Sequence, residues 1–242
     1  MKVKLISDIH TEFDRDRGEK FLNSVPNEGV DVLVVAGDLT TKYYEENLAL
    51  LCDRFPEVIY VMGNHDYWHS SIQERHNLIA NIASRLPNLH WLHNERINLG
   101  GYNFAGCPLW FPRKDRPITN RWPDFAYIEE GAEGIFREHE ASRKFLEDEV
   151  QAGDIVITHH LPSQDCVADE WKGSRSNCYF VSDVDDIIYG NEPAYWFFGH
   201  THNARHLMIG KTEFFCNPRG YPMEGVAFDP EHLLETELDE SK

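Results

Sequence analysis

Cysteine is scarce in this 242-residue sequence, and its spacing forms no framework. The cysteines are odd in number and no two of them form a C-x-x-C pair; they are Cys52, Cys107, Cys166, Cys178 and Cys216. A disulfide scaffold or a zinc ribbon needs paired or closely spaced cysteines. The pattern therefore excludes both classes and indicates reduced thiols, as in a cytoplasmic protein.

Long apolar runs are also missing. No stretch approaches the roughly 20 apolar residues that a membrane-spanning helix requires. Residues 1–6 are too short for the apolar region of a signal peptide and lead at once to Asp8. We therefore expect a soluble protein in the cytoplasm, without a membrane partner.

Basic residues are few. The chain has 23 lysines and arginines against 41 aspartates and glutamates, and its formal net charge is -18. Such a surface repels the phosphate backbone of nucleic acids, which argues against a nucleic-acid coat protein. A small anionic substrate is still compatible with this charge, because bound metal ions can reverse the field locally.

Apolar residues make up 41% of the chain, which is typical of a globular protein. The length fits a single domain over residues 1–242, with no internal repeat or linker. Two stretches without periodicity, near 109–127 and 163–180, are interpreted as active-site loops. Residues 229–242 are interpreted as a solvated acidic tail.

Short apolar runs alternate with amphipathic segments along the chain. This alternation predicts an α/β fold around a parallel sheet. The predicted strands lie at 3–7, 30–36, 58–62, 89–92, 102–105, 155–157, 195–198, 212–216 and 225–228. The predicted helices lie at 17–25, 43–54, 72–86, 132–150 and 184–189.

Polar side chains follow five of the predicted strands at the point where each strand ends. The segments are Asp8-Ile9-His10, Gly37-Asp38, Gly63-Asn64-His65-Asp66, Thr158-His159-His160 and Gly199-His200-Thr201-His202. Ligands of open α/β sheets bind at the carboxyl ends of the strands. In an extended segment, the side chains of residues i and i+2 lie on the same face, so Asp8 and His10 can converge on one point.

The donors that these segments supply are too many for one metal ion and suit two. They are Asp8, His10, Asp38, Asn64, His159, His200 and His202. Carboxylate and amide oxygens together with imidazoles favour Mn, Fe, Zn or Mg, as a divalent or mixed-valence pair. Because Asp38 ends the most buried predicted strand, we expect it to bridge the two ions.

The five motifs in this order resemble those of the calcineurin-like metallophosphoesterase family. The resemblance implies a four-layer α/β/β/α sandwich with two central mixed sheets and a dinuclear metal site at the carboxyl ends of the strands. It assigns Asp8, His10 and His202 to one ion and Asn64, His159 and His200 to the other, with Asp38 between them. It also implies that His65 is the catalytic histidine.

One motif departs from a branch of that family. Gly37-Asp38 is followed by Leu39-Thr40-Thr41 and not by the V-D-R-G of the protein Ser/Thr phosphatases, which argues against protein phosphatase activity. His65 therefore needs another orienting partner, and our hypothesis is Asp66. Arg175 is a candidate phosphate contact, because a guanidinium matches phosphate geometry.

The other histidines receive no role in the predicted site. His160 follows His159 directly, and the next residue along a strand points to the opposite side. The histidines outside the motifs are interpreted as surface or core residues; they are His69, His76, His90, His93, His139, His206 and His232.

The predicted activity is metal-dependent hydrolysis of small phosphoesters, with diesters such as cyclic nucleotides ahead of monoesters. In the expected mechanism, a hydroxide that bridges the metals attacks phosphorus in line while His65 assists the leaving group. One alternative is a nuclease, which the acidic charge disfavours. Another is a non-catalytic protein-binding scaffold, which the complete set of motif residues disfavours.

Overall fold

A computed structural model describes residues 1–113 and 122–236 as two stacked β-sheets with helices on both outer faces. This is the four-layer α/β/β/α sandwich that was predicted. The strands of the described residues are β1 (Lys2–Ile6), β2 (Val32–Ala36), β3 (Glu57–Val61), β4 (Leu89–Trp91), β5 (Glu95–Leu99), β6 (Tyr102–Cys107), β7 (Ile155–Thr158), β8 (Tyr195–Phe197), β9 (Arg205–Ile209), β10 (Thr212–Cys216) and β11 (Leu234–Glu235).

Both sheets are mixed. The first has the order β11-β1-β2-β3-β4, in which β1 to β4 are parallel and β11 is antiparallel to β1. The second has the order β5-β6-β7-β8-β10-β9, with a parallel centre and antiparallel edge strands β5 and β9. The parallel strands of each sheet therefore deliver their carboxyl ends to one edge.

The helices of the described residues are α1 (Glu19–Ser24), α2 (Tyr44–Arg54), α3 (Asn64–Tyr67), α4 (Ile72–Ala83), α5 (Pro123–Tyr127), α6 (Gly131–Glu149) and α7 (Asp185–Asn191). The three longest of them pack on the sheets, α2 on β3, α4 on β4 and α6 on β6. Within the part of the chain that the structure describes, no helix is both long and apolar enough to cross a lipid bilayer.

The central strands are apolar on both faces because each sheet packs against the other sheet on one side and against helices on the other. On β2, Val34 packs into the apolar layer between the sheets, which also holds Phe197 of β8. Its neighbour Leu33 faces the helix layer, together with Leu51 of α2. Continuous apolar runs are expected for parallel strands that are buried on both faces. All five cysteines are free and buried, in agreement with the predicted reduced thiols.

The predictions for the C-terminal part of the chain need correction. Residues 225–228 form no strand, and the predicted solvated tail instead contributes β11, which pairs with β1. The backbone N–H of Thr236 donates to the Met1 carbonyl at 2.8 Å. A two-residue strand is too short to show any alternation of apolar and polar residues, which is why the sequence did not reveal it. Residues 237–242 of that tail lie outside the described residues.

Other differences concern edges and loops. The predicted strand set omitted β5 and β9, whose half-exposed residues give edge strands little apolar signal. The first helix is shorter than 17–25 and begins after Gly18, which has the left-handed φ of 86°. The stretch 109–127 contains α5, although 114–121 fall outside the described residues, and 163–180 contains three short 3-10 helices.

Candidate active site

Strand ends from both sheets meet at one edge and bring the motif residues together. Asp8 and His10 follow β1, Asp38 follows β2, and Asn64 begins the short helix after β3. His159 and His200 follow β7 and β8 of the second sheet. Six of the seven predicted metal ligands are buried, and the side chain of the seventh, His202, is 13% exposed.

The loops after these strands have an unusual backbone. The left-handed region is occupied by Asp8 (φ 51°), His10 (52°), Asp38 (55°), His200 (69°) and His202 (49°). This conformation costs a non-glycine residue roughly 1–2 kcal/mol, and such strain concentrates at functional sites. The turns aim the side chains of neighbouring loops at one volume.

Asp8, His10 and His202 form a first group of candidate ligands. Nε2 of His10 lies 3.1 Å from Nε2 of His202, which in turn lies 3.5 Å from Oδ1 of Asp8. Ring nitrogens at this separation can share a proton or bind the same cation. Nδ1 of His202 contacts Glu224 at 2.7 Å, which orients its Nε2 toward the group.

Asp38, Asn64, His159 and His200 form a second group. Nε2 of His159 lies 3.0 Å from Oδ1 of Asn64 and 3.3 Å from Oδ2 of Asp38. Nδ1 of His159 contacts the Ala36 carbonyl at 2.9 Å, so Nε2 is the nitrogen available to a ligand. Among the described residues, buried Nε2 of His200 has no hydrogen-bond partner. A buried ring nitrogen without a hydrogen-bond partner, in a residue that clusters with Asp38 and His159, fits a bound metal ion.

Asp38 lies between the two groups. Its Oδ2 is 3.7 Å from Nε2 of His10 and 3.3 Å from Nε2 of His159. Burial opposes its charge, yet His159, His65 and His10 outweigh burial and hold the pKa of Asp38 well below its usual range. Burial likewise opposes the charge on His159, but Asp38 raises the pKa of His159 to about 9. The site thus stabilises positive charge on both sides of Asp38.

His65 occupies a separate position beside these groups. Its ring stacks on Trp68 at 3.6 Å, and its Nε2 lies 3.1 Å from the Tyr221 hydroxyl. Its Nδ1 lies 3.8 Å from Oε1 of Glu12. Burial opposes a charged ring, but Asp38 and Glu12 together raise the pKa of His65. One of its nitrogens also lies within 4.8 Å of the ligand atoms of His10 and Asp38, which is close enough to reach a group held there.

The prediction that Asp66 orients His65 is wrong. The Asp66 carboxylate accepts hydrogen bonds from the backbone N–H groups of Asp38 (2.9 Å) and Gly63 (2.7 Å). Because α3 begins at Asn64, a side chain two residues later turns back to cap the start of the helix. Burial and the nearby Asp38 carboxylate raise the pKa of Asp66 to about 7. Asp66 therefore fixes the strand-end loops.

The actual partners of His65 lie outside the motifs. Glu12 sits in a single turn of 3-10 helix after His10, and Tyr221 comes from a loop near the end of the chain. A carboxylate two residues after a motif histidine was a usable local signal for Glu12. No local pattern marks Tyr221.

The structure places two further residues of the predicted site. Arg175 is exposed and is not among the residues that line the cavity over the site, although its neighbours Ser174 and Ser176 are, so its phosphate contact stays a prediction. His160 is buried, and its ring lies 4.2 Å from the ring of His200. Burial and the neighbouring His159 hold the pKa of His160 well below its usual value. His160 is thus a neutral residue that packs behind the candidate ligand His200.

A cavity of about 880 Å³ opens over the site. Asp38, Asn64 and His65 lie among its lining residues, and aromatic walls come from both predicted active-site loops, with Trp122 on one and Trp171 on the other. Apolar walls around a few polar groups are typical of a small-molecule site.

Asp124 supports one wall of this cavity and was missed by sequence reasoning. It is buried, and its Oδ1 accepts hydrogen bonds from Asn64 Nδ2 (2.9 Å) and Trp68 Nε1 (2.8 Å). Its Oδ2 accepts a third hydrogen bond from Trp122 Nε1 at 2.9 Å. One carboxylate therefore fixes a candidate ligand, the ring stacked on His65 and a cavity wall.

Comparison with known proteins identifies the family. The model of the calcineurin-like phosphoesterase family matches residues 1–204. Protein L509 of Acanthamoeba polyphaga mimivirus is 24% identical over 277 residues, which cover 94% of each chain. An uncharacterized metallophosphoesterase of Helicobacter pylori is 30% identical over 123 residues, 47% of this chain and 31% of that protein.

A solved structure agrees with this assignment at the level of the fold. The phosphopantetheinyl hydrolase of Mycobacterium tuberculosis is 18% identical, with a TM-score of 0.68 over 91% of this chain and 90% of that one. The chain therefore belongs to the calcineurin-like phosphoesterase family of metal-dependent hydrolases that cleave phosphoric esters.

Proposed function

We propose that this protein hydrolyses small phosphoesters at a dinuclear metal site, with diesters such as cyclic nucleotides ahead of monoesters. The observation that carries the proposal is the position of Asp38, which lines the cavity and lies between the two ligand groups, with its Oδ2 3.7 Å from Nε2 of His10 and 3.3 Å from Nε2 of His159. A diester carries less negative charge than a monoester, so an acidic chain with a net charge of -18 repels it less. The organic groups on both ester oxygens of a diester can also contact aromatic walls.

The chain offers a ligand set for each of the two ions. Asp8, His10 and His202 would hold one ion, and Asn64, His159 and His200 the other. Asp38 would contact both. When bound, ions such as Mn, Fe, Zn or Mg supply Lewis acidity toward phosphoryl oxygens and lower the pKa of water.

His65 supplies the proton in this proposal. Its raised pKa favours the imidazolium form, and its Nε2 faces Tyr221 at the cavity wall. From there Nε2–H can donate to the oxygen of the departing group, which becomes a better leaving group as it accepts the proton. Stacking on Trp68 fixes the plane of the ring, and Glu12 stabilises its charge.

The substrate test compares bis-p-nitrophenyl phosphate with p-nitrophenyl phosphate, on protein stripped of metal and reloaded with manganese. We expect metal-dependent cleavage with a higher kcat/KM for the diester. Preference for the monoester would overturn the order of substrates. Absence of cleavage of either ester, with two manganese ions bound, would overturn the proposed activity.

The role of His65 has its own test. We expect His65→Ala to lower kcat by about 10²–10⁴-fold, the usual contribution of a general acid. The loss should grow with the pKa of the leaving alcohol, while the manganese content stays that of the wild type. His90→Gln is the control, since His90 pairs with Glu57 at 2.7 Å on another part of the protein. A manganese content reduced by one ion in His65→Ala would instead make His65 a ligand.

A further inference from the structure

A second cluster of histidines and a carboxylate lies outside the active site. It joins His76 of α4, His93 in the crossover between β4 and β5, and Glu138 of α6. One ligand atom from each residue lies within 4.8 Å of the others. We propose that these three residues form a separate site for a transition-metal cation of the zinc class.

Unsatisfied atoms at the cluster point to a cation. Nε2 of His93 lies 3.2 Å from Oε2 of Glu138, but the contact lacks the geometry of a hydrogen bond. Among the described residues, Glu138 Oε2 and His93 Nδ1 are both buried without a hydrogen-bond partner. A buried polar atom without a hydrogen bond destabilises the folded state. A bound cation would pair with Oε2 of Glu138 and with one ring nitrogen of each histidine.

The rings of the cluster are already oriented. Nε2 of His76 lies 3.2 Å from the Tyr67 hydroxyl, the kind of outer contact that fixes a ligating imidazole. The ring of His93 stacks on Trp91, and its centroid lies 4.1 Å from that of His76. Burial and the neighbouring His93 also lower the pKa of His76 to about 4, so this ring is neutral, as a metal ligand must be.

The donor set decides which cations fit. Two imidazoles and one carboxylate suit zinc and its neighbours better than calcium or magnesium, which prefer oxygen ligands alone. Three protein ligands leave a fourth tetrahedral position for water. Because α4 covers the first sheet and α6 packs on β6 of the second, a cation there would tie the two halves of the sandwich together.

The first experiment counts zinc bound after equilibrium dialysis of four proteins: the wild type, His93→Gln, Glu138→Gln and His90→Gln. His90 is the matched control, because it also pairs with a glutamate, Glu57, but lies outside the cluster. We expect His93→Gln and Glu138→Gln to hold one zinc equivalent less than the wild type and His90→Gln. This difference does not depend on how many ions the active site binds, so it is independent of the proposed function.

The second experiment locates the ion in the wild-type protein and needs no variant to fold. Crystals are grown with zinc added at three equivalents, and diffraction is recorded at the zinc absorption edge. We expect an anomalous peak between His76, His93 and Glu138. Absence of that peak would overturn the proposal, as would equal zinc contents in the four proteins or a loss of zinc from His90→Gln.

Discussion

The two histidine–carboxylate clusters of this protein are held in different ways. The active-site cluster sits on strand-end loops, where Asp8, Asp38 and His200 adopt left-handed backbone conformations. The outer cluster consists of His76, His93 and Glu138. Its His76 and Glu138 lie on the regular helices α4 and α6. The first cluster depends on a strained backbone and close packing, whereas the second needs only two helices and a crossover in their places.

The difference explains what each cluster can tolerate. The side chains of His93 and Glu138 are 20% and 18% exposed, so a substituted side chain can relax into solvent. Asp38 and His159 are fully buried, so a side chain substituted there cannot relax into solvent. Changes at strand ends should therefore act on the fold and on the site together.

The largest effect is expected for Asp38→Asn. The Asp38 carboxylate stabilises positive charge on His159 and on His10. Without it these buried charges have no compensating partner, which costs about 3–5 kcal/mol. If that cost falls on the transition state, kcat/KM for a phosphoester should drop by about 10²–10⁴-fold, and the metal content should fall as well. Steady-state kinetics and metal analysis measure both.

Asp31→Asn is the matched control for this substitution. Asp31 precedes the same strand, β2, is exposed, and accepts a hydrogen bond from the backbone N–H of Lys2. It should behave as the wild type. Equal kinetics in Asp31→Asn and Asp38→Asn would remove Asp38 from the centre of the site.

Two glycines allow the effect of close packing on the site to be measured separately from the effect of backbone strain. Gly37 and Gly153 have nearly the same φ, 89° and 88°. A Cβ on Gly37 would lie 2.2 Å from Nδ1 of His159, whereas a Cβ on Gly153 would meet no atom within 4 Å. Alanine at either position should lower the free energy of unfolding by roughly 1–2 kcal/mol through strain.

Only Gly37→Ala should also displace His159 and weaken metal binding, by about 10–100-fold. Denaturant unfolding of the metal-free variants and manganese titration measure the two effects separately. If Gly37→Ala and Gly153→Ala bind manganese equally, the strand ends are less tightly packed than the structure indicates.

The sequence was sufficient wherever a strand and its ligand are neighbours in the chain. Asp38 follows its apolar run after Gly37, and His200 follows Phe198 and Gly199, so both residues could be placed at strand ends from the sequence. The fold class could be predicted for the same reason, since buried parallel strands leave continuous apolar runs.

The sequence was insufficient where contacts join distant segments. Tyr221 contacts His65 from 156 positions away in the sequence, and Asp124 contacts Asn64 from 60 positions away. The outer cluster has no motif at all, because His76, His93 and Glu138 come from three separate elements. A hydrogen bond between remote segments leaves no periodicity or spacing in either of them.

Asp124→Asn tests how far such a remote contact controls the site. The Asp124 carboxylate accepts hydrogen bonds from three N–H groups. In the asparagine variant one of its oxygens is replaced by an NH₂ group, which cannot accept a hydrogen bond. We expect a loss of about 1–3 kcal/mol in the free energy of unfolding and a fall of about 10–100-fold in metal affinity or kcat.

Asp154→Asn is the control for Asp124→Asn. Asp154 is also a buried carboxylate, but its partner is Arg96, at 2.8 Å from both oxygens, away from the site. It should lose stability while the kcat of the folded enzyme stays unchanged. A normal kcat in Asp124→Asn would show that the three hydrogen bonds stabilise the fold alone.

Tyr221→Phe should give the smallest effect, because it removes one hydroxyl and keeps the ring that lines the cavity. A hydrogen bond is worth roughly 0.5–1.5 kcal/mol, so kcat should fall by about 2–12-fold. Tyr102→Phe is the control, since that hydroxyl donates to the Thr236 carbonyl at 2.8 Å, far from the site. If both variants keep the wild-type kcat, stacking on Trp68 and the charge of Glu12 are enough to hold His65. The active-site cluster would then tolerate the loss of a single side-chain contact, as we expect of the outer cluster. The two clusters would differ only in the backbone conformation that holds them.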